Sequence, residues 1–183
     1  MFSSFVALEN IRVFILVEAT MAGILIENTI NEKLTGEARK NALDFITFMR
    51  ENEFSCDWSG VDNDILWTPA YKGEGFGNIT VAPEWSKEND GFILWIGPVC
   101  DFENSGSADN DLKEFAWAHV VTCPQKKYCG EGYCGAGKNH WKIFGKEYES
   151  TCHAPLSFFN PDAKAFKHIK KLMLILKQNR TNV

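Results

Sequence analysis

Four short runs rich in aromatic and β-branched residues follow one another in the middle of this chain: Phe54–Trp58, Ile65–Tyr71, Phe76–Val81 and Phe92–Ile96. Turn-forming residues separate them, among them Gly60, Lys72-Gly73-Glu74-Gly75 and Asn89-Asp90-Gly91. Parallel neighbours need crossover connections of a dozen or more residues, whereas antiparallel neighbours join through short polar loops. The spacing therefore predicts an antiparallel meander of about four strands. Pro69 cannot donate to a ladder, so it predicts an edge or a bulge within the second run.

Helical signals flank this block. Ala38, Ala42, Phe45, Ile46 and Met49 recur at steps of three and four, which predicts a helix over about 35–51 with one apolar stripe and Thr35 as its cap. A polar break over 103–111 leads into a short helix that places Leu112, Phe115, Ala116 and Val120 on one face, with His119 near its end. Trp141 to Phe144, Tyr148 to Cys152 and Leu156 to Phe159 read as further short strands. Asn160-Pro161-Asp162 opens a last helix, with Asn as cap, Pro where its missing donor does no harm and Asp at the positive end of the dipole. Phe166, Ile169, Leu172, Met173 and Leu176 are its expected buried stripe, and His168 is expected at its surface or boundary. The fold class is α+β: an N-terminal helix, the meander, a short helix, a Cys-rich loop and a C-terminal helix.

With 183 residues, 45% of them apolar, the chain can bury one ample core. Residues 1–30 read as an N-terminal extension of uncertain order and 31–183 as a single domain with a Cys-rich subregion over 119–153. Within the extension, Met21 is a plausible natural start, and a packed amphipathic helix is the rival reading. Glu9, Arg12, Glu18 and Glu27 interrupt the apolar amino-terminal stretch, which falls short of the roughly 18 residues a spanning helix needs. Met1 to Leu8 lacks the basic start of a secretory signal. A cytoplasmic protein without a membrane partner is the expectation. A net charge of −5 also argues against a nucleic-acid partner, which would require a basic surface to displace counterions.

Four of the six cysteines, Cys123, Cys129, Cys134 and Cys152, fall within residues 119–153, which also hold His119, His140 and His153. In a reducing compartment clustered thiols serve as metal ligands or redox groups more often than as permanent crosslinks. Zinc takes four tetrahedral thiolate or imidazole ligands, and Gly130, Gly132 and Gly135 supply the tight turns that would bring these ligands round one ion. Cys123, Cys129, Cys134 and Cys152 are thus the candidate ligands of a structural zinc, with His119, His140 or His153 as substitutes for the fourth. The intervals of five and four intervening residues differ from the two-residue knuckle of zinc ribbons. Three other readings stand beside it: buried small hydrophobes, a disulfide such as Cys123 to Cys134 or Cys129 to Cys152, and an exposed redox-active thiolate.

The glycines of 130–137 followed by Lys138 superficially match a phosphate-cradling loop. Phosphate loops join a strand to a helix, however, and here a short helix precedes and a strand follows. Asp57, Asp62 and Asp64, and again Asp101, Glu103, Asp109 and Asp111, are close in sequence and read as solvated loop acids. No serine elbow, metalloprotease histidine pair or kinase signature is present. Fourteen Phe and six Trp require either a core of large rings or a ring-lined surface. If Trp58, Trp67, Tyr71, Phe76, Trp85 and Trp95 shared one open face they could receive a small ligand; core packing is the commoner outcome.

The carboxy-terminal half, from Cys123 through Ile143-Phe144-Gly145-Lys146-Glu147-Tyr148 to Cys152 and on to Asn160-Pro161-Asp162-Ala163, resembles a group of small uncharacterised bacterial proteins. The resemblance covers the chain from about residue 38 and implies a shared build: an early helix, an aromatic middle and a cysteine-rich loop. In that group the loop more often carries two cysteines separated by two residues, a spacing that Cys123 and Cys129 do not reproduce. These observations lead to the expectation of a noncatalytic protein with a structural zinc loop and a small-molecule or protein ligand. The alternative is a thiol-dependent enzyme or redox sensor in which Cys134 or Cys152 is assisted by His140 or His153.

Overall fold

A computed structural model describes residues 25–59, 66–83, 91–97, 102, 108–122 and 139–181. The described elements are α1 (Ile26–Lys33), α2 (Gly36–Glu51), β1 (Phe54–Trp58), β2 (Leu66–Tyr71), β3 (Glu74–Gly75), β4 (Gly77–Val81), β5 (Phe92–Ile96), α3 (Asn110–Ala118), β6 (Val120–Thr122), β7 (Asn139–Ile143), β8 (Lys146–Phe159) and α4 (Ala163–Thr181). They form an α+β fold in which eight strands, antiparallel in every pairing described, run in the order β1-β2-β4-β5-β8-β6, with β3 on β2 and β7 on β8. The expected meander of four strands is present as β1, β2, β4 and β5. The sheet extends beyond that meander through β7 and β8, where short strands are expected, and through β6, which takes Val120 out of the preceding helix, since that helix ends at Ala118.

Register explains which face is buried. Ile79 pairs with Leu94 and Leu94 with Phe158, while Val81 pairs with Phe92 and Ile96 with Leu156, so these apolar side chains share one face. All are buried. The helices supply the other half of that core, α2 through Ala42, Phe45, Ile46 and Met49, α4 through Phe166, Ile169, Leu172, Met173 and Leu176. Phe45 joins the layers, its ring centroid lying 6.0 Å from Phe92 on the sheet and 5.0 Å from Phe166 on α4. Trp67, Tyr71 and Phe76 are buried in the same core, and half-buried Trp58 packs against it. Trp95 points to the opposite face and meets Phe159 edge-on at 5.7 Å. The aromatic residues thus divide between the two faces and do not line one open one; Trp85 lies outside the described residues.

Turn chemistry sets the hairpins. Lys72 and Gly73 between β2 and β3, and Phe144 and Gly145 between β7 and β8, all have positive φ, as a two-residue turn matched to the twist of its strands requires. Pro69 falls where β2 changes partner, from β4 at Leu66 and Trp67 to β3 at Ala70 and Tyr71. Gly77 pairs with Ile96 so closely that any Cβ there would overlap the Trp95 carbonyl.

Some expectations change. Helix α1 falls at the boundary of the expected extension and packs Ile26 and Ile30 into the core, while residues 1–24 are outside the described set. Thr35 stands before α2 without a side-chain cap bond. The two short strands expected at 148–152 and 156–159 are one strand, β8. At the start of α4 the cap is Asp162, whose Oδ1 accepts the Ala165 amide at 2.7 Å. Asn160 has φ of 43° and turns instead to β5: its amide donates to the Phe92 carbonyl at 2.9 Å and its Oδ1 accepts the Phe92 amide at 2.8 Å.

Candidate functional site

Strand β8, which includes Cys152, organises its end of the sheet. Its second half pairs with β5, Ile93 with Phe159 through Ile96 with Leu156, and its first half pairs with β7, Ile143 with Lys146 through Asn139 with Thr151. Strand β6 pairs with it through Val120 with Leu156 and Thr122 with Thr151. Between those two pairs β6 has one residue, Val121, and β8 has four, 152–155. Such a bulge bends the strand and re-aims its side chains, and Pro155 needs no ladder partner there.

Thr151 is therefore the centre of a row across three strands, paired with Thr122 of β6 on one side and Asn139 of β7 on the other. Cys123, Cys152 and His140 are the residues that follow these three in the chain. Cys152 and His153 belong to the bulged part of β8, and His140 is exposed on β7. Cys123, Cys129 and Cys134 lie outside the described residues. Among the described residues no three His, Cys, Asp or Glu side chains are grouped as a metal centre. Cys56, absent from the sequence-based candidates, is a free thiol on β1 that burial pushes up to about 12, which keeps it protonated and inert at neutral pH.

His119 is placed away from that row, at the C-terminal end of α3. Its Nδ1 donates to the Phe115 carbonyl at 2.8 Å. Its ring packs against Phe115 at 4.4 Å and Phe158 at 5.0 Å. A carbonyl only accepts, so the proton of the neutral ring is on Nδ1 and Nε2 carries a lone pair.

That ring borders a cleft of about 470 Å³ between α3, the end of β8 and the start of α4. His168 forms its floor. The sequence suggests a boundary position, yet His168 is buried because α3 packs against the same side of α4. Its Nε2 donates to Asp111 Oδ2 at 2.8 Å and its Nδ1 to the Lys164 carbonyl at 3.1 Å, while the ring stacks on Phe115 at 4.6 Å. Both nitrogens face acceptors, so the ring makes both bonds only when it carries both protons. The hydrogen bond from His168 holds the Asp111 carboxyl below the usual carboxylate range. Asp109 is lowered too, by the Leu112 amide that it caps and by Lys171.

Of the acids that read as solvated, Asp109 and Asp111 are thus recruited to α3 and α4, and Asp57 accepts a hydrogen bond from Ser55 at 3.0 Å. Sequence reasoning misses the Asp111 and His168 pair, because its members are 57 residues apart and neither carries a local motif. Trp117 locks α3 to the β7–β8 hairpin by donating from Nε1 to the Ile143 carbonyl at 2.8 Å. Among the described helices none is long and apolar enough to cross a membrane. Comparison of the chain with the profiles of known protein families, with curated proteins and with solved structures found no match.

Proposed function

We propose that this chain is a noncatalytic cytoplasmic protein in which a structural zinc ion, held by Cys123, Cys129, Cys134 and Cys152, ties the cysteine-rich segment to the end of the sheet. The observation that carries the reading is the row through Thr122, Thr151 and Asn139, since three soft donors, Cys123, Cys152 and His140, each follow a member of it in the chain. A pinned segment needs less ordering by the metal than a free one, so more of the binding free energy stabilises the fold. Thiolate and imidazole are also the donor types zinc prefers, and half-buried Cys56, its thiol pushed up to about 12, offers no competing reactive thiol. The resemblance of the carboxy-terminal half to small bacterial proteins with a cysteine-rich loop supports the same build.

Elemental analysis of protein purified without chelator tests the proposal, combined with thiol titration before and after chelation. One zinc per chain, with thiols that become reactive only on chelation, is the expected result. Metal-free protein with one fast-reacting thiol would refute it in favour of a thiol-dependent enzyme, and a mass deficit from paired thiols would refute it in favour of a disulfide.

A further inference from the structure

The cleft between α3 and α4 is of a size that holds small molecules, within the roughly 300–1,000 Å³ such sites occupy. What it lacks is internal pairing at three of its polar groups. Asp111 is engaged by His168 and Asp162 by the Ala165 amide. Glu114, by contrast, makes no side-chain hydrogen bond or ion pair with any described residue, Lys164 is engaged among them only by its longer-range attraction to Asp111, and no described group meets Nε2 of His119. Glu114 and His119 lie on α3, and Lys164 is on the first turn of α4 across the cleft. Between them the wall is aromatic: Phe115 and Phe158 stack with ring planes 6° apart.

We propose that this cleft binds a small zwitterion with an apolar body, an α-amino acid with a large hydrophobic side chain being the simplest such molecule. Its ammonium group donates to the Glu114 carboxylate and to Nε2 of His119. Its carboxylate meets Lys164, and its side chain packs on the edge of Phe115, which Phe158 backs. Each unpaired group thereby gains a partner of opposite character, which neither a simple amine nor a simple carboxylate achieves. His119 suits this role because its Nδ1 is committed to the Phe115 carbonyl, so the ring presents an acceptor in a fixed direction. Glu114, His119 and Lys164 are not among the four proposed zinc ligands, so the two readings stand apart.

The test is titration of the full chain, in its metal state as purified, with L-phenylalanine, L-leucine, 2-phenylethylamine and 3-phenylpropanoate. Binding is read by calorimetry and by amide shifts at Ala165 and His119. At least one of the two amino acids is expected to bind saturably and about tenfold or more tighter than either half-molecule, as for loss of one charge-assisted hydrogen bond. Glu114→Gln is expected to weaken the amino acid and the amine and leave 3-phenylpropanoate unchanged. Lys164→Gln is expected to do the converse. Both positions are exposed, so neither exchange disturbs the core. The proposal is overturned if neither amino acid shifts the cleft signals, if a half-molecule binds as tightly as the whole, or if both variants bind the amino acid as the parent chain does.

Discussion

Asn160 holds the junction between the sheet and the last helix through two separable contributions, and substitutions at that residue can measure them apart. Its Oδ1 accepts the amide of Phe92, a residue only 1% exposed, so removing the side chain strands a buried donor at a cost of about 1–3 kcal/mol. Its φ of 43° lies in the left-handed region, which costs an ordinary L-residue about 1–2 kcal/mol and asparagine less. Asn160→Ala loses both, so a destabilisation of about 2–5 kcal/mol is expected, or a Tm lowered by about 6–15 °C at ~3 °C per kcal/mol for a chain of this length. Asn160→Gly removes the acceptor and relieves the backbone, and is expected to lie about 1–2 kcal/mol above the alanine variant. Asn160→Asp keeps an acceptor and tolerates the turn, and is expected within about 1 kcal/mol of the parent. Thermal and urea unfolding read the order, and hydrogen exchange at the Phe92 amide localises it. Equal losses in the alanine and glycine variants would refute the backbone contribution. An aspartate variant as unstable as alanine would refute the role of the acceptor.

Trp117→Phe keeps most of the packing on α3 but leaves the buried Ile143 carbonyl without its indole donor, so a loss of about 1–3 kcal/mol in urea unfolding is expected. Gly77→Ala drives a Cβ into the Trp95 carbonyl and forces β4 from β5; about 3 kcal/mol of destabilisation is expected by calorimetry, and an unchanged Tm would show that the strands part freely. The carboxyls of Glu27, Glu53, Asp109 and Asp111 are all lowered, respectively by Arg50, Lys177, the Leu112 amide and His168. A lowered carboxyl contributes stability that is complete above its unfolded value near 4 and lost as pH falls through its folded one, so Tm is expected to drop on acidification below about pH 4. Asp111→Asn is expected to make that acid limb shallower.

How much of this fold can be read in the chain depends on how far apart the interacting residues are. The hairpins from β1 to β5 are legible because each strand pairs with a near neighbour and Lys72-Gly73 announces its own turn. The stripe of α2 is legible for the same local reason. Strand β8 reads as two pieces because Pro155 interrupts the pattern, and only its pairing with β5 on one half and β7 on the other makes it continuous. Asn160 reads as a helix cap from its neighbours Pro161 and Asp162, and only the presence of Phe92 across the sheet turns it elsewhere. In the candidate site, the cysteine cluster is visible as composition, but the row of Thr122, Thr151 and Asn139 is a matter of register among β6, β7 and β8. The pairing of Asp111 with His168 depends on how α3 docks on α4, which no window of the chain encodes.

Helix α4, last of the described elements in the chain, reaches back to α2, β2 and α3. Tyr71 and Thr181 meet at 3.3 Å across 110 positions, Lys177 donates to the Asn52 carbonyl across 125, and Lys170 to the Asp44 carbonyl across 126. Contacts this distant raise the contact order, and they slow folding because loop-closure entropy is lost before the contacts reward it. On a ribosome, the sheet and α2 would emerge with Phe45, Phe92 and Leu94 still uncovered, and the nascent chain would keep that apolar face open until α4 cleared the exit tunnel.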